Sequence, residues 1–248
     1  MASFDDPAFF GDRWADVYDK GPADDEPPEV EFLAGLAGGG RVLELAIGTG
    51  RVGLPLALRG IDVEGVEASE AMVAQLRAKP GGEQIPVTIG DLADVPVSGP
   101  FRLVYLVFNT LFNLPGPDRQ AACFRNVARV LEPDGAFVVE CFVPDPKRFE
   151  RGQSVEALSV TEDAATIEVL RHDAAAQRFY SQKITFTSEG IRMLPVALRY
   201  CWPSELDLMA GQAGLRLGER YAGWDRRPFG SDSSSHVSVY RPMPKSPR

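Results

Sequence analysis

The chain has 248 residues and a formal net charge of −9. Nucleic-acid binding needs a basic footprint, so we expect no nucleic-acid partner. No apolar run approaches the roughly 20 residues that span a bilayer, and the first residues do not resemble a secretory leader. Three scattered cysteines fit neither a disulfide framework nor a zinc site. We therefore expect one elaborated cytoplasmic domain without membrane or metal partners.

The negative charge is concentrated in residues 1–31, which hold ten acidic and two basic residues, a net charge of −8. The same segment carries apolar residues at helical spacing, which predicts an amphipathic helix docked on the rest of the chain: Phe9, Phe10, Trp14, Val17 and Tyr18. We predict that residues 1–38 form an N-terminal helical cap. An acidic cap favours a neutral or cationic ligand such as an amine, although a solvated acidic surface gives the same composition.

The most informative stretch follows an apolar strand, 41–45, which contains Glu44 near its end and turns through glycines into a helical run. Gly48 and Gly50 can adopt positive φ and let a ligand lie against bare backbone. The N–H groups of the following helix then point at that ligand. The spacing Gly48-x-Gly50-x-x-Gly53 also fits a dinucleotide-binding fingerprint. Glu44 argues against that interpretation, because a carboxylate repels a pyrophosphate but attracts an ammonium or sulfonium.

Two further carboxylates stand at the ends of predicted strands. Glu67 follows the apolar strand 61–66, nineteen positions after Gly48, near the spacing at which an acid reaches ribose hydroxyls. Asp91 directly follows a third strand and precedes Leu92. Asp91 alone would be interpreted as a loop or cap residue, but the series of three acids favours a ligand site.

These motifs resemble those of the class I methyltransferases that depend on S-adenosylmethionine (SAM), whose first motif is acid-x-x-x-Gly-x-Gly. The resemblance implies that SAM is the cofactor, that Glu67 binds its ribose and that Asp91 accepts from its adenine amino group. It also implies a mobile cap that begins at Tyr18. The implied cofactor-binding residues are Tyr18, Glu44, Gly48, Gly50, Glu67, Asp91, Leu92 and Phe108.

Helices and strands alternate along most of the chain, which predicts a parallel sheet covered on both faces. With the resemblance, this gives an α/β, Rossmann-like class I methyltransferase fold: a mostly parallel seven-stranded sheet with a final antiparallel strand. Residues 39–143 and 203–241 are predicted to form the SAM-binding core, and 242–248 a disordered tail. The later elements are predicted as strands 101–108 and 136–142, helices 117–131 and 203–213, a turn at 131–135, and strands 215–221 and 236–241.

Residues 144–202 interrupt the alternation and predict an inserted antiparallel β-sheet of three or four strands above the carboxyl ends of the parallel strands. Its predicted strands are 154–160, 165–170, 179–186 and 192–200. A similar insertion occurs in amino-sugar N-methyltransferases, which the chain resembles most in organisation. A small sheet leaves an open edge, which predicts a homodimer through the insertion. The alternative is a monomer in which the insertion roofs its own active site.

The resemblance implies transfer of a methyl group from SAM to the nitrogen or oxygen of a small-molecule acceptor in secondary metabolism. Two alternatives remain: a non-catalytic SAM-binding or regulatory module, and an NAD-linked oxidoreductase. Such a displacement depends mainly on holding the nucleophile in line. A neutral amine needs little help from a base, whereas a hydroxyl usually needs one.

Candidate catalytic bases are Glu140, near the end of the fifth strand, and His236, which opens the last strand. Candidate substrate residues are Asn109, Phe112 and Tyr200. A turn-capping role for Asn109 and a core position for Phe112 are equally consistent with the sequence.

Overall fold

The computed structural model describes residues 4–20, 27–145 and 152–244. The helices are α1 (Phe9–Trp14), α2 (Pro28–Ala37), α3 (Gly53–Leu58), α4 (Glu70–Arg77), α5 (Pro117–Val130) and α6 (Pro203–Gln212), with 3₁₀ turns at Gly82–Gln84 and Thr110–Asn113. The strands are β1 (Val42–Leu45), β2 (Val63–Glu67), β3 (Val87–Ile89), β4 (Phe101–Leu106), β5 (Leu131–Phe142), β6 (Gln153–Val160), β7 (Ala164–Asp173), β8 (Arg178–Thr187), β9 (Gly190–Arg199), β10 (Leu215–Tyr221) and β11 (Ser235–Pro242). Among these helices, none has the length and apolarity needed to cross a bilayer.

Seven strands form the main sheet in the order β10-β11-β5-β4-β1-β2-β3. Strands β1 to β5 pair in parallel, and β11 runs antiparallel to both of its neighbours. The predicted fold class is thereby confirmed. The central strands β1 and β4 are apolar almost throughout and buried, as expected for strands covered on both faces.

Helices cover both faces of the sheet, and the sheet separates the core into two layers. On one face α5 and α6 pack against β1, β4 and β5. On the other face α2 and α3 pack against the same strands, with Val30 and Leu33 of α2 fully buried. Helix α2 therefore belongs to the layers of the core, and residues 4–20, here called the N-terminal segment, lie outside them.

Two element boundaries differ from those predicted. Helix α5 ends at Val130, one residue early, and the predicted turn 131–135 lies within β5. Leu131 already pairs with Phe101, and the register then shifts so that the next pair is Ala136 with Leu103. The turn residues therefore bulge out of the ladder instead of preceding it.

The predicted tail begins two residues too early. Pro242 is the last residue of β11, and the Met243 amide donates to the Gly214 carbonyl at 2.8 Å. Residues 245–248 of the predicted tail lie outside the described residues.

The inserted sheet has four antiparallel strands in the order β6-β7-β8-β9, where the sequence predicted three or four. Leu170 and Phe179 are buried in the core cluster that also contains Phe112 and Cys141. The Phe179 ring lies 6.1 Å from that of Phe142, at the end of β5. The insertion therefore packs at the carboxyl ends of the parallel strands, where this fold binds ligands.

A buried polar network fastens the insertion to the core. Arg199, at the end of β9, donates to Gln120 Oε1 of α5 at 2.7 Å, to Gln177 Oε1 at 3.0 Å and to Glu205 Oε1 of α6 at 3.1 Å. Gln120 returns hydrogen bonds to the carbonyls of Leu111 and Arg199. Because Arg199 and Gln120 are 5% and 0% exposed, these bonds lie in a low-dielectric environment.

Replacing Arg199 with Ala should lower the free energy of unfolding by about 3 kcal/mol, since it leaves buried polar partners unpaired. Urea unfolding followed by circular dichroism measures the change. The matched control is Arg192→Ala in the same strand, because Arg192 pairs with the exposed Asp16 and should cost less than about 1 kcal/mol. Equal losses in the two variants would contradict the role assigned to the network.

Candidate functional site

The turn between β1 and α3 adopts a left-handed backbone at three positions. Ala46 has φ 55°, Gly48 has φ 56° and Gly50 has φ 77°. A Cβ added at Gly48 would meet only the Ala46 carbonyl oxygen, at 3.9 Å, so this position opens onto free space. A Cβ at Gly50 would collide with the Leu76 side chain. Gly48 thus offers bare backbone to a ligand, whereas Gly50 permits close packing beneath the turn.

A cavity of about 420 Å³ lies against this turn, within the range of about 300–1,000 Å³ found for small-molecule sites. Five predicted cofactor-binding residues border it, namely Tyr18, Gly48, Glu67, Asp91 and Leu92. The remaining three, Glu44, Gly50 and Phe108, are not among its lining residues. The lining residues that the sequence analysis missed include Asp5, Ala46, Met72, Thr110, Asn113 and Arg119.

Glu67 joins two turns at the cavity wall. Its Oε2 accepts from the Gly48 amide and its Oε1 accepts from the Ser69 amide, both at 2.9 Å. Burial raises the pKa of Glu67, and these two amides counteract the shift because they stabilise the charged form. Each oxygen keeps a lone pair, so the carboxylate can still accept from a hydroxyl in the cavity.

Asp91 is held by two donors at the neighbouring part of the wall. Its Oδ1 accepts from the Ala93 amide at 2.8 Å and its Oδ2 from Arg119 at 2.6 Å. Arg119 also donates to Asp94 Oδ1 at 3.0 Å. No local sequence signal points to Arg119, because it stands on α5 and meets Asp91 only through the fold.

Glu44 lies beneath the turn instead of at the cavity surface. It is 3% exposed and faces the Gly53 amide and the Tyr105 hydroxyl. These two donors favour the charged form, but neither forms a well-aligned hydrogen bond to Oε2, which has no partner among the described residues. Burial dominates and raises the pKa of Glu44 from 4.5 to about 8, so the ligand-free carboxyl is mostly protonated at neutral pH.

The N-terminal segment is fastened to the rim of the cavity by its acidic side chains. Asp19 accepts from the Thr49 hydroxyl at 2.9 Å and pairs with Lys79 at 2.8 Å. Asp12 accepts from the Ser69 hydroxyl at 2.7 Å. Tyr18 thereby reaches the cavity wall, and burial raises the pKa of its phenol, which stays protonated at neutral pH.

The same segment also binds the inserted sheet. Three contacts join them: the ion pairs Asp5–Arg178 at 2.7 Å and Asp16–Arg192 at 3.0 Å, and the hydrogen bond from Trp14 Nε1 to the Pro195 carbonyl at 3.1 Å. Many of the acidic side chains therefore have defined basic or hydroxyl partners. The N-terminal segment bridges the core and the insertion across one side of the cavity.

Glu140 forms a clamp next to the cavity. Its Oε2 accepts from the Phe108 amide at 2.8 Å and its Oε1 from Trp224 Nε1 at 3.2 Å. Phe108 and Asn109 are both left-handed, with φ 57° and 62°, and the Asn109 side chain accepts from the Phe142 amide at 2.6 Å. Glu140 and Asn109 thus hold a strained turn, and neither is among the lining residues.

The other candidate catalytic and substrate residues are not brought to the cavity. Phe112 is fully buried and packs edge-on against Phe142, so it contributes to the core. The Tyr200 hydroxyl lies 3.0 Å from His172 Nε2 in the insertion. His236 is fully buried in β11 beside Ser238, and burial lowers its pKa to about 4. These three side chains therefore stand apart from the lining described above.

Comparison with known proteins identifies the family to which this cavity and fold belong. A family model described as a methyltransferase domain matches residues 42–135. The CcbJ methyltransferase from Streptomyces caelestis is 41% identical with a TM-score of 0.88, and the match covers 96% of this chain and 99% of that one. The chain is a SAM-dependent methyltransferase. This membership sets aside both the NAD-linked oxidoreductase and the non-catalytic module.

One more distant relative and one structural neighbour of this methyltransferase are also informative. The cypemycin N-terminal methyltransferase from a Streptomyces species is 29% identical over 205 residues, which are 81% of this chain and 82% of the relative. The SAM-bound CalS10, an amino pentose methyltransferase from Micromonospora echinaspora involved in calicheamicin biosynthesis, has a TM-score of 0.67. The match covers 91% of this chain and 95% of CalS10. At 22% identity it supports the fold alone.

The cavity fits SAM by its shape and its charge. The open Gly48 backbone forms a cradle that a side chain would fill. Glu67 and Asp91 present carboxylates, and Glu44 stands buried behind the turn. When bound, SAM supplies a methyl group on a sulfonium that leaves as a neutral thioether. Negative side chains around the cavity favour its two positive groups.

SAM binding should release up to about one proton at pH 6.5, because a positive ligand favours the charged form of Glu44. Near pH 6.5 the ligand's own amino group, with an ordinary pKa of about 8, is already protonated. Isothermal titration calorimetry in two buffers of different ionisation enthalpy measures the release. The Glu44→Gln variant is the control and should release fewer protons. Equal release in both proteins would contradict the assignment to Glu44.

The same pKa shift makes the stability of the ligand-free protein depend on pH. The folded state binds the Glu44 proton more tightly than the unfolded state, so the free energy of unfolding should fall as pH rises from 4.5 to about 8. Glu44→Gln should flatten this dependence.

The Glu140 clamp can be tested by a double-mutant cycle. Glu140→Gln keeps one acceptor oxygen but turns its NH₂ group towards one of the two N–H donors. The variant should therefore lower the free energy of unfolding by about 1–3 kcal/mol. Trp224→Phe removes the indole N–H, so the double variant should lose less stability than the sum of the single variants. Urea unfolding measures all four proteins. Additive losses would show that Glu140 and Trp224 are not coupled.

Proposed function

We propose that this methyltransferase transfers the SAM methyl group to the nitrogen of a small-molecule amine in secondary metabolism. The observation that carries the proposal is the charge of the cavity. Its titratable lining, in the described part of the chain, consists of Asp5, Tyr18, Glu67, Asp91 and Arg119. Three carboxylates thus face one guanidinium. A cleft with this balance raises the local concentration of a cationic acceptor such as an ammonium.

An amine nucleophile also suits the protonation states of the side chains that line the cavity. Tyr18 is held in its neutral form, and no imidazole or thiol contributes to the described lining. A hydroxyl acceptor usually needs a base with a pKa near the working pH, whereas an amine carries its own lone pair once deprotonated. The chain's contribution is then to orient the amine in line with the methyl group and to exclude water.

One named relative supports nitrogen as the accepting atom. The cypemycin N-terminal methyltransferase, 29% identical to this chain, is named for methylation at an N-terminus. Natural-product synthesis is therefore the proposed setting. The three free, buried cysteines suit a reducing compartment, so we propose that the enzyme acts in the cytoplasm.

The experiment uses matched pairs of acceptors that differ only in one atom. Amino sugars and the corresponding hydroxy sugars are incubated with enzyme and SAM, and mass spectrometry of fragments locates any added methyl group. We expect transfer to the amine alone, with a rate that rises with pH as the amine loses its proton. Transfer to the hydroxyl alone would contradict the proposed nitrogen acceptor.

We also propose that two copies of the chain associate through the inserted sheet. By the strand register, one face carries Val155 and Ala157 of β6, Ile167 and Val169 of β7, Ile184 and Phe186 of β8, and Ile191 and Met193 of β9. Val155, Ile191 and Met193 are more than half exposed. Strand β6 is exposed along nearly its whole length and, in the described chain, pairs only with β7. Pairing of two copies buries such a surface.

Light scattering after size exclusion tests this association. We expect a dimer at micromolar concentration and a monomer for Val155→Glu/Met193→Glu, which places charges on the apolar face. The control is Glu156→Lys, on the opposite face of β6 by register. A wild-type monomer would contradict the dimer and favour an insertion that acts only as a roof.

A further inference from the structure

We infer that Arg119 is a positioning residue for the adenine ring of the donor, because it fixes the Asp91 carboxylate and borders the cavity beside it. The inference concerns the donor end of the site and holds whatever the acceptor is. It rests on Asp91 as the group that accepts from the adenine amino group.

The hydrogen bonds at Asp91 leave its carboxylate little freedom. The Ala93 amide holds Oδ1 and the Arg119 guanidinium holds Oδ2, at 2.8 and 2.6 Å. The Asp91 side chain is 15% exposed, whereas that of Asp94, the other partner of Arg119, is 57% exposed. Asp94 therefore serves as an outer anchor, and the inner bond to Asp91 is the one that faces the cavity.

The position of Arg119 in its helix indicates a role beyond helix stability. It is the third residue of α5, which begins at Pro117. The positive end of the helix dipole disfavours a cation in this first turn. The carboxylates of Asp91 and Asp94 compensate for that cost. A cation in the first turn of a helix goes against the usual preference, and such exceptions are expected at functional positions.

The chemistry of the guanidinium suits a flat, neutral ring. Each Asp91 oxygen already has one donor and keeps a free lone pair, so an adenine amino group can be accepted without breaking either bond. Because Arg119 holds the Asp91 side chain in one rotamer before the donor binds, less conformational entropy is lost on binding. The planar guanidinium can also stack on an aromatic ring, which a lysine ammonium cannot do in the same way.

Calorimetric binding of S-adenosylhomocysteine, and of its deaminated analogue with an inosine ring, tests the inference. The wild type should prefer the adenine form. Arg119→Ala should weaken adenine-form binding by about tenfold or more, as expected when a charged hydrogen-bond partner is lost. It should weaken inosine-form binding much less, so that the preference shrinks. Arg119→Lys should fall between the two.

Two controls separate positioning from general stability. Arg125→Ala removes an exposed arginine of the same helix and should leave both affinities within about twofold. Asp94→Ala removes only the outer anchor and should weaken adenine-form binding less than Arg119→Ala.

Melting temperatures are recorded for every variant. If Arg119→Ala does not fold, Arg119→Gln takes its place, because it retains one hydrogen-bond donor and lacks the charge. An unchanged preference for the adenine form in the Arg119 variants would overturn the inference, even with a lowered melting temperature. Since no acceptor is used, failure of the proposed amine specificity would leave these measurements unaffected.

Discussion

The site depends on one pair of hydrogen bonds, those that Glu67 accepts from the amides of Gly48 and Ser69. They tie the turn after β1 to the turn after β2, where two parallel strands end side by side. The left-handed turn at Ala46–Gly50 is costly for an alanine, and this carboxylate helps to hold it. Because Ser69 also caps α4 and its hydroxyl donates to Asp12, the same link aligns the sheet, a helix and the N-terminal segment.

The sequence was sufficient for features set by local pattern. Glu67 and Asp91 were found because an acid at a strand end must reach the edge where ligands bind. Arg119 and Thr110 were missed because tertiary packing alone brings them to the cavity. Glu44 was recognised by its motif, but only the fold places it beneath the turn, where burial changes its protonation. The sequence left the role of Asn109 open, and its bond to the Phe142 amide explains why: the partner lies 33 positions away.

Composition could not separate a solvated acidic surface from an acidic cap. The structure gives part of the charge a specific use, since four acidic side chains of the N-terminal segment meet partners on β8, on β9, at the N-cap of α4 and in the glycine-rich turn. The insertion was similarly predictable as strands, because its alternation is local. Its attachment through the Arg199 network involves residues far apart in sequence and was not predictable.

The bridge that the N-terminal segment forms has a kinetic consequence. It contacts both the inserted sheet and the rim of the cavity, so release of the spent cofactor on this side of the cavity requires contacts at both ends of the bridge to break. The pairs with Arg178 and Arg192 are partly exposed, and salt screens such pairs. Opening of the bridge, and release of the demethylated product past it, should therefore quicken as ionic strength rises. The acidic N-terminal residues would then govern product release as well as the charge at the mouth of the cavity.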